Sequence, residues 1–275
     1  MKIGNKNGGP IMWEIYNNLI SRIPGNIRIK RCLMGVNWFL VESGGIGMAM
    51  RPLEVYGKVS IPEHIAGMKV CEIVRYVKSW NNYEAALGLA AINSVINTES
   101  NVSKIYPGDL NGQPNESSFI LLKKQIIGKN VAVIGHFPRV EGLRKICKLA
   151  ILERKPDEGD YPDPACEYIL PYQDYVFITG TTIINKTLPR LLELSKNANV
   201  ILVGPSVPMT EMLFSYGVDV LAGTVIVEKE RAWNVIQEGN PTRFFKRGAR
   251  RVEISFEDYK NVQWRNEVQL TNKSI

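Results

Sequence analysis

From residue 131 onward the chain alternates short, unbroken apolar runs with stretches of helical periodicity, and few folds accommodate that order. The runs cover 131–134, 149–152, 175–178, 200–203 and 218–221. A strand that is apolar on both faces must be covered on both faces, as the strands of a parallel sheet are. The intervening helical stretches, 140–147, 164–169, 187–197 and 209–216, supply the cover. The pattern predicts an α/β class protein whose larger part is a Rossmann-like, doubly wound parallel sheet.

The first hundred residues follow a different rule. Trp13, Ile15, Tyr16, Leu19, Ile20 and Ile23 recur at helical spacing before Pro24, which predicts an opening amphipathic helix. Residues 27–34, 36–42 and 46–50, punctuated by Gly35 and Gly44-Gly45, read as an antiparallel meander. A long apolar helix follows, with Ser79 as its expected N-cap. The stretch 106–117 is dominated by Pro, Gly, Asn, Asp and Ser and carries no apolar period, so a boundary is expected there, dividing a small α+β domain (1–110) from the Rossmann-like domain (111–275).

Composition narrows the function classes. With 45% hydrophobic and 22% charged residues the chain is globular. No run reaches the roughly 18 apolar residues of a membrane span, and no leader-like segment opens the chain, so a cytoplasmic location is expected. A homodimer fits such a protein. The four cysteines form no CxxC pair and only His64 and His136 supply imidazoles, which argues against a soft-metal cage built from protein side chains alone. Much of the net charge of +7 comes from Arg243, Lys246, Arg247, Arg250 and Arg251, a run closely followed by Glu253, Glu257 and Asp258. One such cluster is a poor footprint for nucleic acid, and it reads as a solvated face.

Ligands of open α/β sheets bind beyond the carboxyl ends of the strands. Here those ends run into Gly135-His136-Phe137-Pro138, Glu153-Arg154-Lys155-Pro156, Thr179-Gly180-Thr181-Thr182 with Asn185, and Gly204-Pro205-Ser206. Each motif alone also reads as an ordinary turn or cap; their coincidence at one crevice makes the site. Phe137 stands where a dinucleotide fingerprint needs its second glycine, so a pyrophosphate is disfavoured. His136 and Glu153 are the candidates for proton transfer. Asn93, an amide in an apolar helix, either bonds locally or faces a cleft between the domains.

Several long strings, VAVIGHFP at 131–138, LERKPDEGDYPDPACEYILPYQDYVFITGTTIINKTL at 152–188 and LVGPSVPMTEMLFSYGVDVLAGT at 202–224, resemble the family named for putative heavy-metal chelation. GVNWFLVES and AALGLAAINSVINT are similar to its N-terminal part. The resemblance implies an enolase N-terminal-like domain joined to a Rossmann-like domain, with a cleft that makes, binds or delivers a small metal chelator. It implies a site of Gly135, His136, Phe137, Glu153, Thr179, Gly180, Thr181, Asn185, Gly204, Pro205 and Ser206, with Asn93 across the cleft. The metal would arrive inside its organic chelator, with no ligand of its own from the protein. Two rival readings are an enzyme acting on a nucleotide-like or phosphate-bearing molecule, and docking of an acidic partner on the basic run.

Overall fold

The structure is a computed structural model that describes residues 11–54, 57–110 and 116–272. The boundary expected between residues 110 and 111 adjoins 111–115, which lie outside the described residues.

The opening helix (Ile11–Ser21) leads to an antiparallel sheet of β1 (Arg31–Met34), β2 (Trp38–Glu42) and β3 (Ile46–Met50), in the order β1-β2-β3. The long helix Asn82–Ile96 lies across this sheet. It can lie that close because β3 carries Gly47, where a Cβ would come within 2.1 Å of the Ala90 carbonyl oxygen and closer still to the Ser94 amide nitrogen. Its cap is Asn81, not Ser79: the Asn81 side chain accepts from the Tyr83 and Glu84 amides, while Ser79 donates its hydroxyl to the Glu84 carboxylate.

The larger sheet contains β4 (Asn130–Ile134), β5 (Lys148–Glu153), β6 (Tyr161–Pro162), β7 (Tyr175–Thr179), β8 (Asn199–Val203), β9 (Val220–Ile226) and β10 (Ala249–Ser255). Their order is β10-β9-β8-β7-β4-β5-β6, parallel throughout except for β10, which runs antiparallel to β9. From β4 the chain winds outward through β5 and β6, then returns to the other side of β4 with β7. The winding therefore reverses between β4 and β7, where the crevice of a doubly wound sheet opens. The connectors are tighter than expected. Two of the four expected helices are 3₁₀ turns, Val140–Lys145 and Glu211–Tyr216, and the other two shrink to Cys166–Ile169 and Leu188–Leu194. No described helix is long and apolar enough to cross a membrane.

The two parts do not keep separate cores. Tyr16, Phe39 and Ile92 belong to one apolar cluster with Ile178, Leu202 and Leu221. The outer face of the small sheet, with Leu40 and Met48, is covered by Trp233, Ile236 and Phe244 from the C-terminal half. The turn Arg243–Lys246 thus closes a core with Phe244 while Arg243, Lys246 and Arg247 stay exposed as the solvated face that their charge suggested; Arg250 and Arg251, on β10, are half-buried. At the junction Asn93, fully buried, donates through Nδ2 to the carbonyls of Met48 (2.8 Å) and Ser206 (3.1 Å). One turn on, Asn97 donates to Val207 O (2.8 Å) and accepts from Met209 N (2.8 Å).

Replacing Asn97 with Leu orphans a buried carbonyl and a buried amide at once, each worth about 1–3 kcal/mol. Denaturant unfolding should show a lowered midpoint with an unchanged slope, whereas Asn197→Leu, on an exposed turn outside this junction, should move the midpoint little.

Candidate functional site

A cleft of about 1650 Å³ opens at the β4–β7 reversal. Every expected ligand or catalytic residue lines it except Asn93, which is buried in the junction beneath. The structure also sorts the lining residues by what they already bond. Ser206 accepts from the Met50 amide (2.9 Å), so its hydroxyl ties the two halves together. Asn185 accepts from the amide and hydroxyl of Thr187, and Thr182 donates to Thr179 O. These three shape the turns.

Thr179 and Thr181 hold their hydroxyls 3.1 Å apart. Gly180 between them lets the turn press against Ser206-Val207, since a Cβ there would meet the Val207 amide at 2.8 Å. Gly135 and Gly204 lie close to opposite edges of the Phe137 ring, which packs at a tilt against Phe119 with centroids 5.2 Å apart. A flat apolar floor therefore occupies the place that a dinucleotide's pyrophosphate would need. Glu153 is held by backbone, accepting from His136 N (3.0 Å) and Arg154 N (3.0 Å).

His136 sits among carboxylates that sequence reasoning did not connect to it. Its Nδ1 is 2.9 Å from an Asp160 oxygen and 4.0 Å from Asp157, and its Nε2 bonds Glu141. The Asp160 side chain is only 2% exposed, with the Arg144 guanidinium at 3.9 Å. The hydrogen bond that His136 donates to Asp160 raises the His136 pKa above its ordinary value, with Glu141 adding to the effect against partial desolvation. Ligand atoms of His136, Asp157 and Asp160 lie within 4.8 Å of one another, and no other such group occurs among the described residues. In sequence the only signal was the string DEGD at 157–160, a turn's length after the second strand.

The far wall was also missed. Strand β10 turns Arg251 and Glu253 toward the cleft, opposite Thr224 and Ala222 in register, with Lys246 and Phe245 beside them. The Arg251 guanidinium stacks on Phe245 at 3.6 Å, an arrangement that orients its donors. Glu253 is largely buried, which raises its pKa, and its Oε2 has no hydrogen-bond partner among the described residues. Alternation of Val252 and Ile254 inward with Arg251 and Glu253 outward was legible in the string RRVEIS, once a strand was suspected there.

The thiols do not assemble. Cys147 and Cys166 are buried and Cys32 and Cys71 half-buried, and burial pushes the Cys32 thiol up to about 11 and the Cys166 thiol up to about 12.

Residues 16–96 and 120–255 match two family models, DUF4213 and DUF364, both described as "Putative heavy-metal chelation". The chain is 31% identical over 234 residues to an uncharacterized protein of Methanocaldococcus jannaschii, covering 80% of this chain and 86% of that one. It is similar to the crystal structure of a DUF364 family protein of unknown function from Desulfitobacterium hafniense, at 36% identity and a TM-score of 0.80 over 89% of this chain and 98% of that chain. A second DUF364 protein of unknown function, from Pyrococcus horikoshii, shares the fold at 22% identity, with a TM-score of 0.72 over 89% and 99% of the two chains.

With only two histidines in the chain, proton NMR resolves this cluster directly. The His136 resonance should titrate above the ordinary imidazole value in metal-free buffer, and Asp160→Asn should lower that midpoint. Because the folded pKa is raised, the cluster's contribution to stability is present at pH below about 6.5 and is lost as pH rises through the His136 midpoint. An unchanged midpoint in the variant would contradict the assigned cause.

Proposed function

The chain belongs to the putative heavy-metal chelation family, and on that premise we propose that it binds or modifies a small organic metal chelator in the cleft between its two halves, as part of heavy-metal homeostasis. The observation that carries the reading is the character of the cleft. Its floor is the Phe137 ring flanked by glycine backbone, its near wall offers the Thr179 and Thr181 hydroxyls, and its far wall offers Arg251, Lys246 and Glu253. Apolar surface with a few convergent polar groups suits an aromatic or heterocyclic organic molecule. A guanidinium and an ammonium suit acidic substituents, which are also the groups that hold metals in most organic chelators. In this reading the metal is cargo.

Proton transfer to or from the ligand falls to Glu153, whose carboxylate lines the cleft and is held there by the His136 and Arg154 amides. A tight complex without turnover makes the protein a carrier; turnover makes it an enzyme of chelator synthesis or modification.

Native mass spectrometry with elemental analysis tests the proposal on protein purified without chelators or affinity metal. Wild type should carry an organic mass, with or without metal, and a Thr181→Val, Arg251→Met double variant should lose it. An organic mass retained in the variant, or thermal stabilisation by simple phosphate compounds and not by aromatic acids, would overturn the assignment.

A further inference from the structure

We infer that His136, Asp157 and Asp160 form a binding site on the protein itself for a divalent first-row transition-metal ion, at the mouth of the cleft. The inference goes beyond the proposed function and does not depend on any organic ligand being bound.

The geometry is that of a ligand set held ready. Two donors each about 2.0–2.1 Å from a tetrahedral zinc ion lie about 3.3 Å apart. His136 Nδ1 and Asp160 stand at 2.9 Å, so an ion can replace the shared proton with a few tenths of an ångström of movement. Asp157, on an exposed loop, is 4.0 Å from Nδ1 and closes the set with a small swing. The other imidazole nitrogen is engaged by Glu141, and a carboxylate on the far nitrogen of a ligating histidine fixes its orientation and raises its basicity. The His136 backbone is anchored independently, its amide donating to Glu153. Of the groups on the cluster, Glu141 would orient and the remaining three would ligate.

The donor set names the class of ion. One imidazole nitrogen with carboxylate oxygens suits zinc, nickel, cobalt or iron(II), and it serves magnesium poorly because nitrogen is a weak ligand for so hard an ion. It does not suit the soft ions that thiolates select. Since His136 lines the cleft while Asp157 and Asp160 are not among its lining residues, the ion would sit beside the place where a chelator would lie. A metal could then pass between protein and chelator by exchange of ligands at one ion, with no free intermediate.

Isothermal titration calorimetry with Zn²⁺ alone, on the full chain dialysed free of chelators, tests this. Wild type should bind one equivalent; Asp157→Asn and Asp160→Asn should each weaken binding at least tenfold, and Glu141→Gln by about 10-fold through loss of orientation. Asp157 is exposed, so its variant keeps the result interpretable should the Asp160 variant fail to fold. Co²⁺ should give visible d–d absorption that the Asp157 variant loses. Absence of saturable Zn²⁺ binding, binding unaltered in Asp157→Asn, or Mg²⁺ binding of equal strength would overturn the inference. Loss of a co-purifying organic mass in Thr181→Val, Arg251→Met with Zn²⁺ affinity unchanged would separate the two sites.

Discussion

Two amides one helical turn apart carry the geometry of this protein. The peptide groups of a buried irregular segment must be paired, and these amides pair them, although the buried Oδ1 of Asn93 has no partner among the described residues. Asn93 and Asn97 reach from the helix of the small half to the carbonyls of Ser206 and Val207 and the amide of Met209, in a stretch that belongs to no strand or helix. That stretch forms one lip of the cleft, and Gly180 presses the β7 turn against it. The cleft is thus positioned by the packing of one half on the other.

The same bonds explain what could and could not be read in the amino-acid order. Runs such as 131–134 and 200–203 are apolar on both faces, so their burial and parallel pairing are written locally, and the residues at their carboxyl ends follow from topology. The five core strands and nearly all the cleft residues were legible for that reason. Asn93 was ambiguous because a lone amide in an apolar helix says that it is paired and not with what. The helices were overestimated, since apolar periodicity in a short connector is satisfied equally by a 3₁₀ turn. Strand β10 was hidden by its charge: Arg250, Arg251 and Glu253 look like surface until β9 is known to lie beside them. Asp157 and Asp160 were hidden by distance, because only the β5–β6 turn brings them back onto His136.

Counting histidines and cysteines argued against a soft-metal cage built from protein side chains. It was incomplete because carboxylates are abundant, and abundance makes them silent in a sequence. A single imidazole becomes informative once three carboxylates are found around it, one of them sealed from water. The chemistry of the cleft then divides by location: oxygen and nitrogen donors at the mouth, aromatic and glycine surface on the floor, and cations on the far wall.

That far wall has a consequence for how the protein is made. Arg251 and Glu253 lie on β10, the edge strand that pairs only with β9 and follows it in the chain. During synthesis the N-terminal half and the strands through β9 leave the ribosome first, and segments generally fold as they emerge. A nascent chain would display the glycine and threonine turns while its cationic wall was still missing.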